Sequence, residues 1–205
     1  MVNYKSEFWP RTPETIHLWR ETLCLDYANT VDWSPEDEHV DPEQTDVLRT
    51  EEMLRRWGRR VGLLSDGAET ASAAELRRAL TLRDAIHHLF SSVSRDRKPA
   101  AKDLKVLTSN YAEALRYASL LAGEGSYKLD WPVREPRKIR YAVAASAIAL
   151  LEDPGRLKRV SRCPGRDCGW LFLNVSGRRR WCSMSTCGSR DKMRRLHQRR
   201  TQHTG

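Results

Sequence analysis

The chain has 205 residues, of which 40% are hydrophobic and 31% are charged, the composition of a globular protein. The longest mostly apolar run, residues 141–151, is too short to cross a bilayer, which argues against a membrane-spanning protein. The formal net charge of +9 indicates an anionic partner. Because the sequence opens without a charged and then apolar leader, we expect a cytoplasmic protein.

Most of the chain before residue 152 has helical patterns. Apolar residues at helical spacing predict helices over residues 50–61, 73–93 and 102–121. A fourth helix is predicted over residues 136–151, because a proline suits its first turn and it is apolar on most sides. We expect this fourth helix to be the central buried one.

Two short stretches, residues 22–27 and 127–131, alternate in polarity and are predicted as strands that pair with each other. Residues 34–46 are rich in Pro, Asp and Glu and are predicted as a solvated loop; docking of this loop on the basic C-terminal part is the alternative. The predicted fold is therefore mainly α, a helical bundle with a small β-sheet.

Four of the five cysteines lie in the last quarter of the chain, in the pattern C-x4-C, thirteen residues, C-x4-C: Cys163, Cys168, Cys182 and Cys187. Two thiol pairs, each on a tight turn, supply the four ligands of a tetrahedral metal ion. Disulfides are disfavoured because nothing indicates secretion. We predict one structural Zn²⁺ with no open position for a catalytic water.

The residues around the cysteines suggest the shape of the zinc module. Residues 170–173 and 178–181, joined by a turn at 174–177, are predicted as a β-hairpin with the metal at its open end. A helix is predicted to follow, with Ser189 as its N-cap and with Met193 and Leu196 covering the hairpin.

Positive charge is concentrated in this module. Residues 155–205 contain fourteen basic and two acidic side chains, a net charge of +12, whereas residues 1–154 contain 22 basic and 25 acidic ones, a net charge of −3. The turn-forming residues 152–155 predict a boundary between a helical domain, 1–154, and a zinc module, 155–205. The asymmetry favours a polyanionic partner; a surface kept basic for solubility, or an acidic protein partner, is the alternative.

Basic side chains before and within the terminal helix are the candidate nucleic-acid contacts. They are Arg178, Arg179, Arg180, Arg190, Lys192, Arg194, Arg195, Arg199 and Arg200. The sequence does not separate DNA from RNA, and exposed Trp170 or Trp181 could stack on bases of an RNA or a single strand.

The module resembles the CGNR zinc finger of a bacterial family whose N-terminal domain is called ABATE. The resemblance rests on Cys163-Pro164, Asp167 to Trp170, Arg180 to Met184 and Cys187-Gly188, and more loosely on Leu25 to Thr30. It implies a zinc-binding transcription regulator of stress responses, with DNA bound by the finger. Where the family motif has asparagine this chain has Ser189, which can still cap a helix.

Asp26, Asn29, Thr30 and Asp32 lie where the first predicted strand ends and are candidates to line an effector pocket, together with Trp33 or Trp131. The alternative is that these polar side chains satisfy backbone groups in a turn. If these residues do form a pocket, the N-terminal domain would sense a small molecule; formation of a homodimer is the other role expected of this domain. An enzyme is not expected, because the sequence has no phosphate-binding glycine loop, no nucleophile with a positioned base and no carboxylate pair at catalytic spacing.

Overall fold

The structure is a computed structural model that describes residues 11–132 and 136–202, with side chains described up to residue 199. Its elements, in chain order, are α1 (Leu23–Ala28), α2 (Pro42–Thr45), α3 (Glu51–Arg60), α4 (Ala73–Val93), α5 (Ala101–Arg116), β1 (Ser119–Gly123), β2 (Ser126–Asp130), α6 (Arg137–Leu151), α7 (Pro154–Leu157), β3 (Val160–Arg162), β4 (Leu171–Leu173), a π-helical turn (Met184–Gly188) and α8 (Ser189–Gln202). The fold is mainly helical with two small antiparallel sheets, as predicted.

Helices α3, α4 and α6 agree with the predictions to within one residue at each end. Ser72 caps α4 by accepting a hydrogen bond from Glu75 N at 3.1 Å, and Thr50 caps α3 by accepting one from Met53 N at 3.2 Å. Helix α6 is central, because its residues from Ile139 to Leu150 include eight buried side chains and it packs on α1, α4 and α5.

The predicted strand at residues 22–27 is wrong: this segment forms helix α1, which packs between α4 and α6. The alternation in polarity was misleading, because Asp26 is buried along with its apolar neighbours. Its carboxylate accepts hydrogen bonds from the backbone N–H groups of Trp19 and Arg20, at 2.8 and 2.9 Å. A polar residue can be buried when its hydrogen bonds are made inside the protein. The polarity of Asp26 therefore does not mark a side of the segment that faces solvent.

The predicted third helix runs too far. Helix α5 ends at Arg116, and the following residues form β1, which pairs with β2 around Gly125. The strand predicted at residues 127–131 is therefore confirmed, one residue earlier, but with β1 as its partner. Leu120, Leu121 and Tyr127 of this ribbon are exposed, so its strand pairing is not driven by burial.

The loop at residues 34–46 is only partly solvated. Thr45 and Asp46 at its end are buried. The guanidinium of Arg83 forms a buried, bidentate ion pair with the Asp46 carboxylate, with N–O distances of 2.7 and 2.9 Å. Asp37 lies 3.2 Å from Arg162 of the C-terminal part and 2.9 Å from Arg95 of the bundle. The loop therefore bridges the two parts of the chain.

The two parts share one hydrophobic core. Leu171, Phe172 and Trp181 are buried in the same cluster as Tyr27 and Trp57 of the bundle. A small second cluster, around Trp131 and Tyr141, lies under the β1–β2 ribbon. The zinc module is therefore packed against the bundle instead of hanging from a linker.

Candidate metal centre and nucleic-acid interface

The four C-terminal cysteines converge on one point. Their sulfur atoms all lie within 4.8 Å of one another, and the Sγ of Cys182 is 3.5 Å from that of Cys168 and 3.6 Å from that of Cys187. Cys163 and Cys168 are held by a tight turn that the Cys163 N–H closes by donating to Trp170 O at 2.8 Å. Cys187 is placed by the π-helical turn. All four side chains are buried, and none forms a disulfide.

These distances fit a zinc ion. Four sulfurs at the usual Zn–S distance of about 2.3 Å occupy the corners of a tetrahedron with edges of about 3.8 Å. Thiols packed this closely cannot all ionise alone. The neighbouring thiols donate hydrogen bonds to Cys163 and hold its pKa well below its usual value, whereas the Cys182 thiol donates to Cys163, which raises the pKa of Cys182. A bound cation removes this conflict by holding all four as thiolates. The protein therefore has one structural zinc site, whose metal would fix the finger's turns together.

The strand arrangement of the finger differs from the predicted hairpin. Strand β4 pairs with β3, with Arg162 opposite Leu171, so the ribbon flanks the first cysteine pair. The turn at 174–177 does form, and Gly177 N donates to Asn174 O at 3.1 Å. Residues 178–181 do not return as a strand, because the free edge of β4 is taken by a side chain of the bundle.

That side chain is Asn29. Its Nδ2 donates to Leu171 O and its Oδ1 accepts from Leu171 N, both at 2.8 Å. Beside it, Trp33 N donates to Cys168 O at 3.0 Å, which attaches the bundle directly to a zinc-binding residue. Gly169 makes this approach feasible: it has φ +58°, and a Cβ there would lie 2.6 Å from the Cβ of Trp33.

His87 completes the contact between the two parts. Its ring stacks on Trp33 with centroids 3.7 Å apart, and its Nε2 donates to Gly169 O at 3.0 Å. Burial holds the pKa of His87 well below its usual value, so the ring stays neutral. His87 is a core residue. No sequence pattern indicates that it reaches the finger.

The residues of the candidate effector pocket are all interior. Asp26 caps two backbone N–H groups, Asn29 pairs with β4, Thr30 Oγ1 donates to Tyr27 O at 2.8 Å, and Trp33 Nε1 donates to Ala28 O at 3.0 Å. Each of these side chains thus has a hydrogen-bond partner inside the protein, and a role for them in binding an effector stays a prediction.

A cavity of about 680 Å³ lies beside the metal site, and among the candidate effector residues Asp32 lines it. Sequence reasoning did not place a cavity next to the cysteines. Its walls come from the segment before α1 (Arg11, Trp19), from Asp32, and from the finger (Trp170, Arg190). Asp32 is buried and forms an ion pair with Arg11. Cys168, Cys182 and Cys187 also line this cavity.

Basic side chains of the finger divide into two groups. Arg179 is half-buried and is used inside the protein: its guanidinium lies 4.0 Å from the Trp19 ring, 3.3 Å from the Glu21 carboxylate, and donates to Cys182 O at 2.5 Å. The remaining described candidates are exposed: Arg178, Arg180, Arg190, Lys192, Arg194, Arg195 and Arg199. The side chain of Arg200 lies outside the described residues.

Helix α8 packs on the π-helical turn and otherwise extends into solvent. Met193 and Leu196 are 48% and 42% exposed, so the prediction that they cover the zinc hairpin is wrong. Asp191 pairs with Arg194 and Arg195, each at 2.7 Å, which stabilises the first turns of the helix. Helix α8 is therefore a basic helix whose N-terminal end is attached to the metal site and whose remainder projects into solvent.

A thiolate site for one tetrahedral metal, carried on a ribbon, a turn and a basic helix, defines a zinc-finger protein. The family model for the CGNR zinc finger matches residues 159–200. The family model for ABATE, described as "Putative stress-induced transcription regulator", matches residues 21–154. The chain therefore belongs to the ABATE family and carries a CGNR zinc finger behind the ABATE region.

A search of the curated proteins found no match to this chain. Among the described residues, no helix combines the length and the apolar character needed to cross a membrane.

Proposed function

We propose that this protein is a cytoplasmic, zinc-dependent transcription regulator that binds duplex DNA through helix α8. The observation that carries the proposal is the exposure of Arg190, Lys192, Arg194, Arg195 and Arg199 on one helix that begins at the metal site. We also propose that the division at residue 154 separates two roles. Residues 155–205 would bind nucleic acid, and residues 1–154 would respond to a signal or form a homodimer.

Burial of the finger's aromatic rings favours duplex DNA over single strands. Trp170 and Trp181 are each 7% exposed, and Arg180 lies over the Trp181 ring at 5.3 Å. Neither indole is free to stack on an unpaired base, which is how single strands are usually held. Guanidinium groups along an exposed helix can instead reach phosphates and base edges of a major groove.

The charge of α8 sets the expected salt dependence. If the five described cations of the helix each neutralise one phosphate, log affinity falls against log salt with a slope of about −4.5 on B-DNA. Substitution of two of them should make that slope shallower by about 1.8.

Competition binding tests the proposal with duplex DNA, structured RNA and single-stranded DNA at two salt concentrations. Arg194→Gln/Arg195→Gln should weaken duplex binding and flatten the salt dependence. Arg97→Gln/Lys98→Gln, an exposed pair on the bundle, is the matched control and should change neither. Equal weak binding to all three nucleic acids would contradict the proposal. So would a chain that binds none of them and binds an acidic protein.

A further inference from the structure

The cavity beside the metal site is lined by three of its four cysteines. Cys168, Cys182 and Cys187 line the cavity, whereas Cys163 is fully buried and does not. Thiolates, not thiols, are the form of cysteine that attacks oxidants, and a metal ion keeps its cysteine ligands in that form. A small oxidant that enters the cavity therefore reaches the wall that these three metal-binding cysteines form.

Cys182 is central among the three. Its sulfur lies 3.5 Å from that of Cys168 and 3.6 Å from that of Cys187. A disulfide has an S–S distance of about 2.05 Å, so a shift of about 1.5 Å would join Cys182 to either neighbour. The same two cysteines that help to hold the metal are thus placed to resolve an oxidised Cys182.

We propose that the zinc centre is also a site of reversible oxidation by hydrogen peroxide, which reaches Cys182 through the cavity. The Cys182 thiolate attacks one peroxide oxygen, the O–O bond breaks, and hydroxide leaves, which gives a sulfenic acid. The thiolate of Cys168 or Cys187 then attacks the Cys182 sulfur, the S–S bond forms, the S–O bond breaks, and a second hydroxide leaves. The two sulfurs supply the two electrons that reduce the peroxide.

The disulfide removes two of the four ligands of the ion. The two remaining cysteines do not satisfy tetrahedral zinc, so the metal is released and the finger loses the turns that it fixed. Loss of DNA binding on oxidation would follow, and that consequence alone rests on the proposed function. Reduction with added zinc would restore the finger.

The fifth cysteine provides an internal control. Cys24 is fully buried in α1, lines no part of this cavity, and burial raises its pKa to about 12. It should stay a thiol throughout the treatment.

Zinc-loaded protein treated with hydrogen peroxide tests the proposal without any nucleic acid. A chromogenic chelator should report one zinc released per chain, and the intact mass should fall by about 2 Da as one disulfide forms. Peptide mapping should place Cys182 in that disulfide and leave Cys24 unmodified. Dithiothreitol with Zn²⁺ should reverse both changes.

Variants that narrow the cavity test the route of access. Thr15→Trp, on the wall before α1, and Ser185→Trp, on the finger side, should each slow zinc release several-fold. Thr81→Trp, at an exposed site on α4, is the matched control and should not. Zinc release as fast in both cavity variants as in the unsubstituted protein, or a first disulfide through Cys163, would overturn the proposal.

Discussion

The carboxamide of Asn29 takes the place of a neighbouring strand for Leu171. It donates to the carbonyl and accepts from the N–H of that residue, with both distances at 2.8 Å. Asn29 is 1% exposed and 142 residues away from Leu171 in the chain. One side chain of the ABATE region thereby completes the hydrogen bonding of the finger's inner strand.

Asn29→Ala should therefore destabilise the whole protein. It leaves a buried N–H and a buried carbonyl without partners, at a cost of about 3 kcal/mol. Denaturant unfolding of zinc-loaded protein measures the loss. Asn29→Asp keeps the shape and the acceptor but loses the donor, and should be destabilised as well; a fully stable Asp variant would show that the pair of bonds is not needed.

Gly169 should tolerate no side chain. Gly169→Ala combines the strain of φ +58° with a Cβ placed 2.6 Å from Trp33, whereas Gly177→Ala has φ +69° in open space. The strain alone costs about 1–2 kcal/mol. Thermal unfolding should show a clearly larger loss of Tm for Gly169→Ala than for Gly177→Ala, and equal losses would mean that the finger does not sit against Trp33.

Much of the site, and less of its surroundings, could be predicted from sequence. The spacing of four cysteines fixes a tetrahedral site because each pair closes one tight turn, and the long amphipathic pattern of α4 determines that helix. The segment of helix α1 is predicted as a strand because six residues are too few to distinguish a hydrophobic period of two residues, typical of strands, from one of 3.6, typical of helices. The partner of β4 is set by Asn29, which lies too far along the chain for any local pattern to reveal.

Removal of zinc should unfold more than the finger. The finger's Leu171, Phe172 and Trp181 share one core cluster with the bundle, so loss of the metal exposes the bundle's own apolar surface. Cys163→Ser should abolish stoichiometric zinc binding and lower the single unfolding transition seen by calorimetry. Two separate transitions, with the bundle's unchanged, would contradict a shared core.

Arg179 and Arg178 are adjacent in sequence but should behave differently on substitution. Arg179→Gln loses the contacts with Trp19, Glu21 and the Cys182 carbonyl, so we expect a lower Tm and weaker zinc retention. Arg178→Gln alters an exposed side chain and should leave Tm unchanged while weakening nucleic-acid binding. Thermal-shift and nucleic-acid binding measurements on both variants separate the two roles. A lower Tm for Arg178→Gln together with an unchanged Tm for Arg179→Gln would exclude this assignment.

Asp26 should make stability depend on pH. Burial raises its pKa to about 6, despite the two N–H groups that donate to it. An unfolded aspartate titrates near pH 3.9, so between about pH 4 and pH 6 the folded protein holds this proton more often than the unfolded chain does. The contribution of Asp26 to stability is therefore greatest below that window and falls as pH rises through it.

Asp26→Asn removes this titration, since the amide stays neutral throughout. The Tm of the unsubstituted protein minus that of the variant should decrease between pH 5 and pH 7.5, because only the unsubstituted protein has to ionise the buried carboxyl group of Asp26. Asp66→Asn, whose side chain is 88% exposed, is the control and should show a nearly constant difference. A difference for Asp26→Asn that grew with pH would mean that the carboxylate is stabilised more in the folded protein than in the unfolded chain, and that its hydrogen bonds outweigh its burial.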